Sequence, residues 1–209
     1  MWLKRTNAAW EHWLGADDWN VFITLNFGRL NLLEGNKDDA AGKIWRSYLN
    51  TVDRAIYGQT RQQQPRFNRV AFKHSGSNRD IPHMHMLAKS PIAVNDFCVA
   101  LNALWSSKFE AASTPISNSI APLITATGAA GYALHEEFKN DTGSFCDRLT
   151  YINTGTPHLV RTDALARLQG QATRMNLIKA RLALPHHIRT TQANYERRED
   201  ARAAALLRP

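Results

Sequence analysis

The chain has 209 residues, 44% of them hydrophobic and 21% charged, the composition of an ordinary globular protein with room for one sizeable core. Its net charge of +8 at pH 7 favours a polyanionic partner. No apolar run approaches the roughly 18 residues that span a bilayer, and the start MWLKRTNAAWEHW shows no apolar stretch leading to a cleavage site, so a cytoplasmic protein with no membrane partner is expected.

Cys98 and Cys146 lie far apart and in no C-x-x-C pair, which argues against a disulfide framework or a zinc-thiolate centre. Trp2, Trp10, Trp13 and Trp19 gather near the amino end, and Trp10 and Trp13 have the i, i+3 spacing of helix neighbours that can pack on a sheet. WNVFITLNFG, residues 19–28, alternates Val21, Ile23 and Leu25 with Phe22, Thr24 and Asn26 and closes on Gly28, which predicts a strand. Ile44, Tyr48, Val52 and Ile56 recur every four residues and predict a helix over 38–57, with acidic and capping residues at its start.

After the polar connector GQTRQQQPR, the segment RFNRVAFKHSGSNRDIPHMHMLAK predicts a hairpin with its turn near Gly76. His83 and His85 fall on its second arm, one residue apart, so both imidazoles project from one face while Met84 and Met86 point the other way. That pair suits a divalent metal, and it equally suits the polar face of a half-buried strand.

VNDFCVALNALWSSKFE predicts a helix over 94–110, and ISNSIAPLITATG a strand that Pro122 places near an edge or bulge. YALHEEFKN predicts a helix opening immediately after Gly131, DRLTYIN a last short strand, and the tail from about 161 two helices split by Pro185. The order predicts an α+β fold: one antiparallel sheet of four or five strands flanked by helices, residues 1–160, with a helical carboxyl-terminal extension, 161–209. That extension carries ten Lys/Arg against four acids, 10 − 4 = +6. It is read as contacting phosphates, through cations such as Arg174, Lys179, Arg181 and Arg189, or else as a solvated helical face.

FITLNF on the first strand, PHMHML on the hairpin and AAGYALHEEFK on a late helix occur in the order of the three motifs of the HUH superfamily. The chain resembles these rolling-circle replication initiators over roughly residues 19–139. The resemblance implies a Rep-like sheet and a divalent ion, Mn²⁺ or Mg²⁺, held by His83 and His85. It also implies Tyr132 as a nucleophile that attacks a DNA phosphodiester and becomes joined to the 5′ side of the break. Such families commonly have a third metal ligand on the strand before the H-x-H, and His74 stands there. The single-tyrosine initiators often show Tyr-x-x-Lys, whereas position 135 here is His135 and the nearest lysine is Lys139. On a helix 132, 135, 136 and 139 share a face, so His135 could replace the lysine, Glu136 could approach the metal, or Lys139 could reach back. Thr24 and Asn26 would support the site from the first strand.

The implied activity is nicking and strand transfer on single-stranded DNA or a DNA hairpin at an origin, in a bacterial host or its plasmid or phage. No G-x-x-x-x-G-K-[ST] occurs, so unwinding would fall to a host helicase. A catalytically silent nucleic-acid-binding protein of the same fold, a repressor or hairpin binder, is the alternative.

Overall fold

The computed structural model describes residues 2–27, 37–59, 64–74, 82–108, 115–134 and 144–206. The alternating stretch forms strand β1 (Val21–Asn26), and the hairpin arms form β2 (Arg69–His74) and β3 (His83–Ala88); its turn near Gly76 lies outside the described residues. With β4 (Ser119–Pro122) they make a four-stranded antiparallel sheet in the order β2-β3-β1-β4. The expected α+β architecture is therefore present, with Pro122 on an edge strand, where a missing N–H costs no ladder bond.

Both faces of the sheet are covered. Val21, Ile23, Leu25, Met84 and Met86 face α2 (Lys37–Tyr57) and α3 (Val94–Lys108) in a core that includes Trp45, Tyr48 and Trp105. Phe22, Val70, Phe72 and Leu87 face α1 (Trp2–Gly15) and α4 (Ala126–Ala133). Helix α3 is apolar nearly all round because it has a neighbour on both sides, the sheet and the carboxyl-terminal helix α6 (Arg174–Leu206). The short α5 (Ala164–Gly170) seats Leu168 in the same core.

Three expectations need correction. The late helix does not open after Gly131: α4 begins at Ala126, capped by Thr125, whose hydroxyl oxygen accepts the Gly128 N–H at 3.2 Å, and Tyr132 lies in its last turn. The glycines serve close packing instead: a Cβ on Gly15 would come 2.8 Å from Thr127, and one on Gly128 would come 2.7 Å from Tyr195. DRLTYIN forms no strand, only isolated bridges from Tyr151 to Arg69 and, just upstream of it, from Phe145 to Phe72, which cover the outer edge of β2. Pro185 does not split the tail; it sits inside α6, whose stripe Asn176, Ala180, Ala183 and His187 is buried on both sides of it. That packing outweighs the roughly 3 kcal/mol an interior proline costs. The break falls at residues 171–173, where the Thr173 hydroxyl oxygen accepts the Asn176 N–H.

One buried ion pair fixes the β2 end of the core. Both terminal guanidinium nitrogens of Arg69 reach Asp53 at 2.9 Å, Nε donates to the Leu149 carbonyl, and Asp53 also accepts the Phe67 N–H. Asp53→Ala would strand a cation that is 2% exposed, and should lower unfolding free energy by about 3–5 kcal/mol in urea titrations. The double variant Asp53→Ala/Arg69→Met should recover much of that loss; equal losses would mean the pair acts through packing alone.

At the α3–α6 contact, His187 Nε2–H donates to the Pro115 carbonyl at 2.8 Å, and burial pushes its pKa below the usual 6.5. The folded state thus holds His187 neutral while the unfolded chain protonates first. The stability it contributes is present above pH 6.5 and is lost as pH falls through the lower folded value. Between pH 7.5 and 5.5 (about one unit either side of the reference value), the native protein should lose more stability than His187→Gln. Parallel pH profiles would assign the loss to other groups.

Candidate metal centre and tyrosine cleft

Cross-strand register assembles the site. His74 pairs with His83 across β2 and β3, while β1 sets Thr24 opposite His85 and Asn26 opposite His83. Because i and i+2 share a face, His83 and His85 project toward α4, and His74 joins them from the neighbouring strand. The ring centroids lie 4.5 Å apart for His74 and His85, 4.9 Å for His83 and His85, and 5.3 Å for His74 and His83. His74 and His85 are buried and His83 is half-buried.

The surrounding bonds select the nitrogens. A carbonyl can only accept, so the 2.8 Å contact between His74 Nε2 and the Ala133 oxygen places the proton on Nε2 and the lone pair of neutral His74 on Nδ1. His85 Nδ1 lies 2.9 Å from Thr24 Oγ1; as a donor there, it turns the Nε2 lone pair toward the cluster. One nitrogen from each histidine lies within 4.8 Å of the others, and closing on an ion would bring them within about 4.2 Å, twice a typical 2.1 Å bond. The donor set therefore fits a divalent ion, and the three histidines could bind one. Comparison with family models, with curated proteins and with solved structures found no match for this chain.

Tyr132 stands beside the cluster. Its ring centroid is 4.7 Å from that of His85 and 5.7 Å from that of Phe22, which stacks on His85 in turn. On the open side, the Arg198 guanidinium carbon sits 4.2 Å from the Tyr132 centroid. Phe22, Thr24, Tyr132, Thr191, Tyr195 and Arg198 line a cleft of about 180 Å³ between the sheet, α4 and the stretch of α6 from Thr190 to Arg198. Tyr57 and Tyr151 are less suited to attack: burial pushes Tyr57 up to about 12, and the Tyr151 hydroxyl is bonded to His158.

Asn26 faces a different neighbour. Its amide donates to the Ser117 carbonyl at 2.9 Å, tying the end of β1 to the segment before β4. Arg174, Lys179, Arg181 and Arg189 are all exposed along α6, ahead of the turns that line the cleft, and the structure does not bring them to the histidines. His135, Glu136 and Lys139 lie outside the described residues. Sequence reasoning missed Arg198 and Tyr195; they carry no motif, and only the docking of α6 brings them to α4.

Proposed function

We propose that the chain is a metal-dependent single-strand DNA endonuclease and strand transferase working through a 5′-phosphotyrosine intermediate, an HUH-type initiator of a plasmid, phage or other mobile element. One observation carries this reading: a tyrosine ring packed 4.7 Å from a cluster of three histidines able to hold a divalent ion. The motif order FITLNF, PHMHML, AAGYALHEEFK supports it.

His74, His83 and His85 would hold the ion, with Ala133 and Thr24 fixing two of the rings. When bound, a divalent ion there supplies Lewis acidity toward a phosphate oxygen. Three imidazoles favour Mn²⁺ over the harder Mg²⁺, which prefers carboxylates and water. The Tyr132 oxygen would attack phosphorus as the bond to the 3′ oxygen breaks; the phenol proton is given up to water, and the 3′ oxygen takes a proton from water and leaves as an alcohol. The phosphotyrosine ester conserves that bond for rejoining. Arg198, beside the ring, brings a fixed cation to the place where a phosphate would sit, a role expected of position 135 or 139.

A second reading, a silent nucleic-acid-binding protein, is favoured by the same Arg198: it lies over the half-buried tyrosine ring and covers one side of it. Incubation with a pool of single-stranded and hairpin oligonucleotides and Mn²⁺ or Mg²⁺, followed by a denaturing gel, separates the two. Metal-dependent, DNA-linked protein supports the enzyme. Binding that survives chelation with no linked species supports the silent binder. Host helicase dependence would be read in a replication assay only after an adduct is found.

A further inference from the structure

A second cavity, of about 340 Å³, opens on the other side of the sheet, at the opposite end of the β2–β3 ladder from the histidines. Arg69, at its floor, pairs with Ala88, whereas His74 pairs with His83, five residues or about 17 Å further along the strand. Four arginines line this cavity, Arg46 from α2, Arg66 and Arg69 from the approach to β2 and its first residue, and Arg148 from the turn after Cys146. Asn50, one turn after Arg46 on α2, and Gln64 add side-chain amides.

Among the described residues no carboxylate lines the cavity. The nearby Asp53 is committed to Arg69 through both oxygens, and Asp147 accepts the backbone N–H of Arg148. Arg69 is therefore neutralised, while Arg46, Arg66 and Arg148 direct three cations at one space; Arg66 lies 5.9 Å from the Tyr151 ring, which steadies its plane. Converging guanidinium groups repel one another, and a planar fork of N–H donors matches the paired oxygens of a phosphate better than it matches a single-atom anion.

We propose that this arginine-lined cavity is a phosphate-binding site, separate from the histidine cluster, that takes either a backbone phosphate of a nucleic-acid strand or the phosphate of a free mononucleotide. It does not rest on the nuclease reading. The cavity exceeds what one anion needs and falls at the low end of small-ligand sites, leaving room for an attached sugar against Leu49 and Leu149.

Arg46 and Arg148 are exposed, so Arg46→Gln/Arg148→Gln should fold. Inorganic phosphate titrated calorimetrically at fixed ionic strength should bind the native protein saturably. Affinity should drop about tenfold or more in that variant and stay unchanged in Lys108→Gln/Arg197→Gln, which removes the same charge from exposed positions outside the cavity. Equal weakening in both variants, or no saturable binding to the native protein, would overturn the proposal. The source follows from two more titrants. A single-stranded oligonucleotide whose affinity falls in the cavity variant, with a salt slope shallower by about 1 per lost contact, identifies backbone phosphate. A mononucleotide bound more tightly than inorganic phosphate, with the oligonucleotide unaffected, identifies the free nucleotide.

Discussion

Tyr132→Phe should abolish the covalent protein–DNA adduct while leaving the fold, metal binding and DNA affinity nearly unchanged. The phenylalanine ring keeps the contacts to Phe22 and His85 and the face offered to Arg198, so only the hydroxyl is removed. Stability should shift by no more than about 1 kcal/mol, the net worth of a typical hydrogen bond. Cleavage, by contrast, should fall by about 10³-fold or more, since removing a nucleophile can cost on the order of 10⁶ in turnover. Denaturing gels with labelled oligonucleotide, run beside filter binding of the same strand, read both quantities. Cleavage that persists without any adduct would replace the tyrosine mechanism with direct hydrolysis. An adduct that persists would point to Tyr195, the other tyrosine lining the cleft, and Tyr195→Phe distinguishes the two.

How much of this was legible in the sequence follows from which signals were local. Alternation in VFITLN and MHML fixed the strands and their faces, because a period of two leaves only one way to bury Val21, Ile23, Met84 and Met86 together. The same period put His83 and His85 on one side, and the hairpin put His74 across from His83. The errors came where tertiary packing overrode local preference. Gly131 reads as the residue before the late helix because glycine weakens a helix interior by about 1 kcal/mol, yet the helix already includes Gly128, which lets Tyr195 approach α4. Pro185 reads as a helix end, yet Ala180 and His187, on either side of it, are both buried. Arg198 was invisible for a simpler reason. Its place over Tyr132 depends on where a 33-residue helix lands, which no local pattern encodes.

His83→Ala should remove the thermal stabilisation that a divalent ion confers on the native protein. A ligand that binds only the folded state, at one hundred times its dissociation constant, adds about 2.7 kcal/mol. For a chain of this size that is a rise of roughly 5–10 °C in the unfolding midpoint. His83 is the informative position because it is half-buried, whereas His74 and His85 are buried against Ala133 and Thr24 and their removal would unsettle the fold itself. Without His83 the cluster keeps two imidazoles, and the midpoint at a fixed Mn²⁺ concentration should fall back to the chelated value. The metal-free midpoint should move much less. Thr24→Val tests the supporting bond separately: it keeps all three ligands but releases His85 Nδ1, and loss of such a partner typically weakens metal affinity 10–100-fold. These readouts need no DNA and no turnover, so they bear on the metal centre alone. Stabilisation by Mn²⁺ that survives His83→Ala would place the ion elsewhere and leave the three histidines as a packed polar face of the sheet, whatever Tyr132 does.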